Sequence, residues 1–412
     1  MQNIRKRYLG IPLLNFLFAA ILGLFMRYAY VKSLPIPYRY RFITHAHSHI
    51  AILGWIYLAL FALFIASFLP KWYKKYNNIF WFTQISIVGM LLSFPFQGYA
   101  AASITFSTLH VIVSYFFIFY FWKDTRLLST PSARLLHSSL LYMFISTIGL
   151  WCMAPIMAMK IKGGWDQVAI QFFLHFQFNG WFVFAILALL FKRLKVTYSQ
   201  HFIKFFVCLN ISLILTFSLP INWYFRSPIW LWGNALGIVF QLVSVYYLYQ
   251  IIKKRLREYW KESDHLKRVL IIFVTLSFIF KILLQSSALF PSLAETLILH
   301  TNFVIGFIHL TMLGLITGFI FLFFLETKSF SRDFGLLKVG MYVFIFGVFT
   351  TEIILFLQGL LFYLGWNMLP YYYLILFTAS LFLVLGILII GLQIFLTPKK
   401  IELNTTSDKN SF

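Results

Sequence analysis

The side chains of this sequence best suited to chemistry are imidazoles, and most gather at three places. His45, His47 and His49 alternate in Arg41-Phe-Ile-Thr-His-Ala-His-Ser-His-Ile-Ala-Ile-Leu-Gly54-Trp55. His175 opens His175-Phe-Gln-Phe-Asn-Gly180-Trp181. His300 and His309 both lie in His300-Thr-Asn-Phe-Val-Ile-Gly306-Phe-Ile-His309-Leu-Thr-Met-Leu-Gly314. A neutral imidazole is a good ligand for haem iron, copper or zinc. Ionisable groups set into long apolar runs are costly to keep there, so their positions point to function.

The elements that must position these rings are membrane helices. The sequence is 61% hydrophobic and only 11% charged, whereas a soluble domain keeps about a quarter of its residues charged. Apolar runs of twenty residues or more recur along the chain, each able to cross a hydrocarbon layer of about 30 Å. Helices are expected at 9–30, 42–69, 78–101, 103–122, 136–158, 168–191, 201–219, 229–252, 268–290, 297–325, 336–364 and 370–397. Arg5, Lys6 and Arg7 precede a run from Tyr8 to Ala29 that is long enough to span, so it reads as a retained first helix and not a cleaved signal. The fold expected is all-α, a polytopic transmembrane bundle of about 12 helices in one domain over 1–402. A disordered tail is expected over 403–412, and no internal repeat is evident.

A net charge of +23 suggests a nucleic-acid partner at first sight, but the basic residues sit in short loops between apolar runs. With a cytoplasmic N-terminus, one side carries Lys71, Lys74, Lys75, Lys123, Arg126, Arg134, Lys192, Arg193, Lys195, the stretch Lys253–Arg268, Lys328, Arg332 and Lys338. Lys399, Lys400 and Lys409 of the tail join them; the other side holds Lys32, Arg39, Arg41, Lys160, Lys162 and Arg226. That bias is the positive-inside signature. It implies an inner (plasma) membrane location with both termini cytoplasmic, a lipid bilayer as partner and no nucleic acid. Cys152 and Cys208 lie inside apolar runs and suggest neither a disulfide framework nor a thiolate metal site.

Even-numbered helices then start on the outer side. At 1.5 Å per residue, His49 and His175 lie about 10 Å deep and His309 about 18 Å deep. On an α-helix His45 and His49 share a face and His47 points away, sharing its face with Gly54; Gly306 lies near the face of His309 and His300 opposite. Small residues beside a ligand let a flat macrocycle lie close to a helix. His110 reads as a snorkelling interfacial residue, and His137, His201 and His265 as edge or loop residues. Lys281 and Glu352 read as a snorkelling lysine and a neutral, hydrogen-bonded acid.

Twelve helices with histidines near the outer ends of the second, sixth and tenth resemble subunit I of the haem–copper oxidases and the NnrS-type haem–copper membrane proteins. His47-Ser-His49 with Gly54 resembles the H-x-H-x-x-x-x-G opening of helix two in the NnrS type, and His45-Ala46 the start of that helix in oxidases. His309 with Gly314 is similar to the second histidine of the oxidase helix-ten pair, and His175 with Gly180 to the helix-six copper-ligand region. In that superfamily a low-spin haem is held between histidines of helices two and ten. Copper is held by one histidine of helix six and an adjacent pair on helix seven, beside a high-spin haem. Here Phe307 replaces the high-spin ligand, Asn179 stands where related enzymes carry Glu, and the helix-seven end reads Ser218-Leu-Pro-Ile-Asn222 without histidine.

The resemblance therefore implies one low-spin haem b with His309 and one of His45, His47 or His49 as axial ligands. Arg41, with Arg39 and Arg27, would pair with its propionates. His175 is implied as a metal position, with copper coordination left incomplete. Electron transfer or a nitric-oxide-related redox function would follow, with an electron donor or partner membrane subunits, and oxygen reduction would not. The alternative is a cofactor-free transporter or permease using Lys281 and Glu352.

Overall fold

The structure is a computed structural model describing residues 6–32, 38–290, 292–293, 295, 299–326 and 335–396. The expected tail, with Lys399, Lys400 and Lys409, and the loop residues Lys328 and Arg332 lie outside the described residues. Among the described residues the regular elements are helices, twelve of them long and apolar enough to cross a membrane. This is a multi-pass membrane protein. The spans are α1 (Arg7–Val31), α2 (Tyr40–Phe68), α3 (Lys74–Gln97), α4 (Ala101–Thr125), α5 (Pro131–Ala158), α6 (Trp165–Arg193), α7 (Gln200–Tyr224), α8 (Pro228–Glu262), α9 (His265–Ser287), α10 (Thr301–Glu326), α11 (Gly335–Tyr363) and α12 (Tyr372–Ile394).

The breaks between spans have local causes. α3 and α4 are separated by Gly98, whose φ of +61° suits a residue without a side chain. Ser103 stabilises the restart by accepting from the Ala100 N–H at 2.9 Å. Thr130, Ser199 and Asp264 each accept a backbone N–H three residues on and so cap α5, α7 and α9. The polar stretch after 252 continues α8 as far as Glu262. α10 starts at Thr301, four residues later than expected, because His300 is extended, with φ −112° and ψ 97°. His309 is thus only about 12 Å from the start of its helix, comparable with His47 and His49, and not the deepest histidine.

Helix packing repeats three times. Within α1–α4, α5–α8 and α9–α12 the first helix packs on the second, the second on the third and the third on the fourth; α12 then packs on α1 and closes the ring. The second helix of each group is central: the apolar stretches of α2, α6 and α10 are 78%, 78% and 67% buried, against 44% or less in the other nine. The repeat that seemed absent from the sequence is therefore present in the fold.

It also has a sequence trace. His49-x4-Gly54, His175-x4-Gly180 and His309-x4-Gly314 occupy the same place on the three central helices. After each of these histidines the helix becomes π-helical, over Ile50–Tyr57, Phe176–Phe182 and Leu310–Thr317. Bonds from i to i+5 put more residues into each turn, so each glycine comes nearer the line of its histidine than the 140° or so at which an α-helix would set it. The α-helical phasing that aligned Gly54 with His47 ends at His49. Each glycine also faces the first helix of its group closely. A Cβ at Gly54 would lie 3.0 Å from Asn15 Cβ, at Gly180 2.8 Å from Tyr142 Cβ and at Gly314 3.0 Å from Ser277 Cβ. In lipid, where helices gain little by hiding apolar surface from one another, such close approach is a main source of cohesion.

The face rich in basic residues carries two ion-paired clusters. Lys75 and Tyr76 of α3 share Asp124 of α4 at 2.7 and 2.8 Å. Arg193 of α6 and Tyr259 of α8 share Glu326 of α10, both at 2.7 Å.

Candidate functional site

The histidines of α2 divide between two groups on opposite sides of the helix. His47 faces α1, where its Nδ1 lies 2.8 Å from the Ala19 carbonyl oxygen. A carbonyl oxygen can only accept, so Nδ1 carries the proton and Nε2 keeps its lone pair. Gly23 makes room for the ring: a Cβ there would lie 2.9 Å from His47 Cε1. From α10, His309 comes within electrostatic range of His47 and of Arg27 on α1. Its ring is only part-buried although the helix is central, and it makes no side-chain hydrogen bond among the described residues. Arg27 is also within electrostatic range of Glu352 on α11 and Tyr372 on α12.

His45 and His49 face α3 and α4. His49 Nδ1 donates to the His45 carbonyl at 2.8 Å, and its Nε2 takes the Tyr99 hydroxyl at 3.3 Å. The ring lies 4.4 Å from Phe94, and His45 lies 4.6 Å from Tyr99. Arg41 acts on His45 and Tyr99, not on His47 or His309. Arg27, which was expected beside Arg41 and Arg39, is the one within electrostatic range of His47 and His309. His110 on α4 belongs to this second group. It does not snorkel: it is 3% exposed, its Nε2 is unpartnered, and its ring lies 4.8 Å from Tyr57.

His175 lies elsewhere. Its Nε2 donates to the Leu213 carbonyl at 2.8 Å and its ring packs on Phe217. Among the described residues no three His, Cys, Asp or Glu side chains form a group able to hold a metal ion. With no second imidazole at the adjoining end of α7, the residues around His175 do not fit a copper site.

His175 instead lines a cavity of about 220 Å³ between α6, α7, α8, α9, α10 and α11. Behind this wall Lys281 is 3% exposed, its ammonium donating to Asn179 Oδ1 at 2.9 Å and Gln285 Oε1 at 2.6 Å. It is buried and does not snorkel. Glu352 lines the same cavity, with Oε1 buried and unpartnered, and a Cβ at Gly306 would lie 3.4 Å from its Oε2.

The threefold packing relates these places. Positions 49, 175 and 309 are equivalent, and position 47 corresponds to Phe173 and Phe307. Gly149 on α5 packs against the backbone of Ala169 and Phe173, whereas Gly23 on α1 packs against the ring of His47. Only the first group thus carries an imidazole at that position. Sequence reasoning missed Ala19, Gly23, Tyr99 and the two amides that hold Lys281; the spacing of the three His-x4-Gly motifs is the signal that could have revealed the repeat. Comparison of the chain with protein-family models and with curated proteins finds no match.

Proposed function

We propose that the chain is a haem-binding membrane protein that holds one low-spin haem b between His47 and His309 and serves electron transfer within the bilayer. The observation that carries this reading is the Nδ1 contact from His47 to the Ala19 carbonyl, which leaves Nε2 free, together with the unbonded imidazole of His309 nearby. A ring nitrogen fixed by a backbone carbonyl is the usual support of a metal-ligating histidine. His309 has no side-chain hydrogen bond among the described residues, so its ring nitrogens are open to a ligand. A haem held by two imidazoles exchanges single electrons and leaves no open position for oxygen. Arg27, reached by both rings, is the cation placed for a propionate.

The distribution of loop charges supports an orientation with both termini cytoplasmic in a plasma or inner membrane. An electron donor or partner subunit belongs to the same proposal. The test is a reduced-minus-oxidised spectrum, with iron content, of the full chain purified in detergent. A bis-histidine spectrum at one haem per chain is expected; a chain well folded and free of haem after haem-supplemented expression overturns the reading.

A second reading, a cofactor-free carrier, draws on Lys281 and Glu352, both placed at or behind the wall of the cavity. Absence of haem together with solute uptake that depends on Lys281 would favour it.

A further inference from the structure

The cavity beside His175 has an unequal distribution of hydrogen-bonding groups. Lys281 occupies the oxygens of both Asn179 and Gln285, and Gln285 Oε1 also accepts from Gln241 Nε2 at 2.8 Å. That orientation commits both amides, leaving Asn179 Nδ2 and Gln285 Nε2 as donors without an acceptor among the described residues. Both residues line the cavity. Trp223 lines it too, and its indole N–H is buried and unpartnered. Lys281 itself forms no ion pair among the described residues. The cavity lining thus includes three N–H donors, and the two amides among them are held by a buried ammonium. Glu352 lines the same cavity beside Gly306, and its charge is met by that of Arg27.

Donors grouped around an uncompensated cation recognise an oxyanion, and burial of that cation without a counter-charge is costly. The remaining walls are apolar, with Leu174, Phe178, Leu219, Ile238, Phe303 and Phe307. A bare inorganic ion would leave such walls unfilled. From this combination we infer that the cavity is a binding site for a small monocarboxylate, its carboxylate held by Asn179, Gln285 and Trp223 in the field of Lys281 and its apolar body against the phenylalanines. The site is separate from the His47–His309 pair and does not depend on haem.

The test is isothermal titration of the full chain in detergent with acetate, butyrate and benzoate, and with chloride and nitrate as controls. Saturable binding is expected, rising about fourfold per added methylene as apolar walls are filled. Lys281→Met should abolish it. Asn179→Leu, which keeps side-chain volume, should weaken it at least tenfold, with helicity and gel-filtration profile unchanged in both variants. Equal affinity for chloride, nitrate and acetate overturns the proposal in favour of a plain anion site. Unchanged binding in both variants, or no saturable uptake of any carboxylate by the folded parent, overturns it outright. Should Lys281→Met not fold, the Asn179→Leu titration decides alone.

Discussion

Trp55 on α2 donates its indole N–H to the Thr317 hydroxyl on α10 across 2.9 Å in the buried centre of the protein. Each partner stands eight residues beyond a histidine, Trp55 beyond His47 and Thr317 beyond His309. Both helices run in the same direction, and both are π-helical over most of those eight residues. That bond ties α2 to α10 eight residues beyond His47 and His309.

Thr317→Val leaves the Trp55 N–H buried without an acceptor. It should destabilise the protein by about 1–3 kcal/mol, and Trp55→Phe combined with it should cost less than the sum of the two single changes. Thermal unfolding in detergent measures this. Additive losses would mean that the two side chains do not act as a pair.

The histidines should behave unequally. His47→Ala and His309→Ala are expected to remove the low-spin haem spectrum while leaving membrane insertion intact. His45→Ala and His49→Ala should preserve it, because His49 already uses both ring nitrogens within its own group. Loss of the spectrum in the His49 variant with retention in the His47 variant would reverse the assignment.

Gly23 allows the close seating of the His47 ring. A Cβ 2.9 Å from Cε1 forces the ring to move, so Gly23→Ala should shift the reduction potential and Gly23→Val should lower haem occupancy several-fold. Potentiometry and pyridine haemochrome assay read the two effects. A Gly23→Val protein with normal occupancy and potential would remove α1 from the site.

Arg27 and Arg41 provide a paired comparison. Arg27→Met should weaken haem retention and lower the reduction potential, since a cation near the iron is lost; Arg41→Met should change neither. The reverse result would place the propionates on the α3–α4 side of α2.

A reporter fused after residue 396 should be active only in its cytoplasmic form. Activity of an export-dependent reporter at that point would reverse the orientation proposed from the loop charges and place the ends of α2, α6 and α10 bearing the histidines on the cytoplasmic side.

The membrane class, the span count and the approximate limits of the helices were legible in the sequence alone. They rest on a property each segment has by itself: about twenty apolar residues suffice to span, whatever the neighbours do. The placing of His47, His49, His175 and His309 in the first half of α2, α6 and α10 was legible for the same reason. The hydrogen-bond partners of His47 and His49 were not. They depend on the Ala19 carbonyl and the gap at Gly23 on another helix, and on Tyr99 reaching His49. Nor could local pattern bring Arg27 of α1 within electrostatic range of His309 on α10, because only packing assigns neighbours across helices. Lys281 read as snorkelling because a long side chain in isolation reaches for water; Asn179, on α6, and Gln285 hold it inside. The π-helical turns changed the facing of every residue beyond the three histidines. Single-helix periodicity assumes 3.6 residues per turn, and only the close approach of neighbouring helices at Gly54, Gly180 and Gly314 accompanies the departure from it.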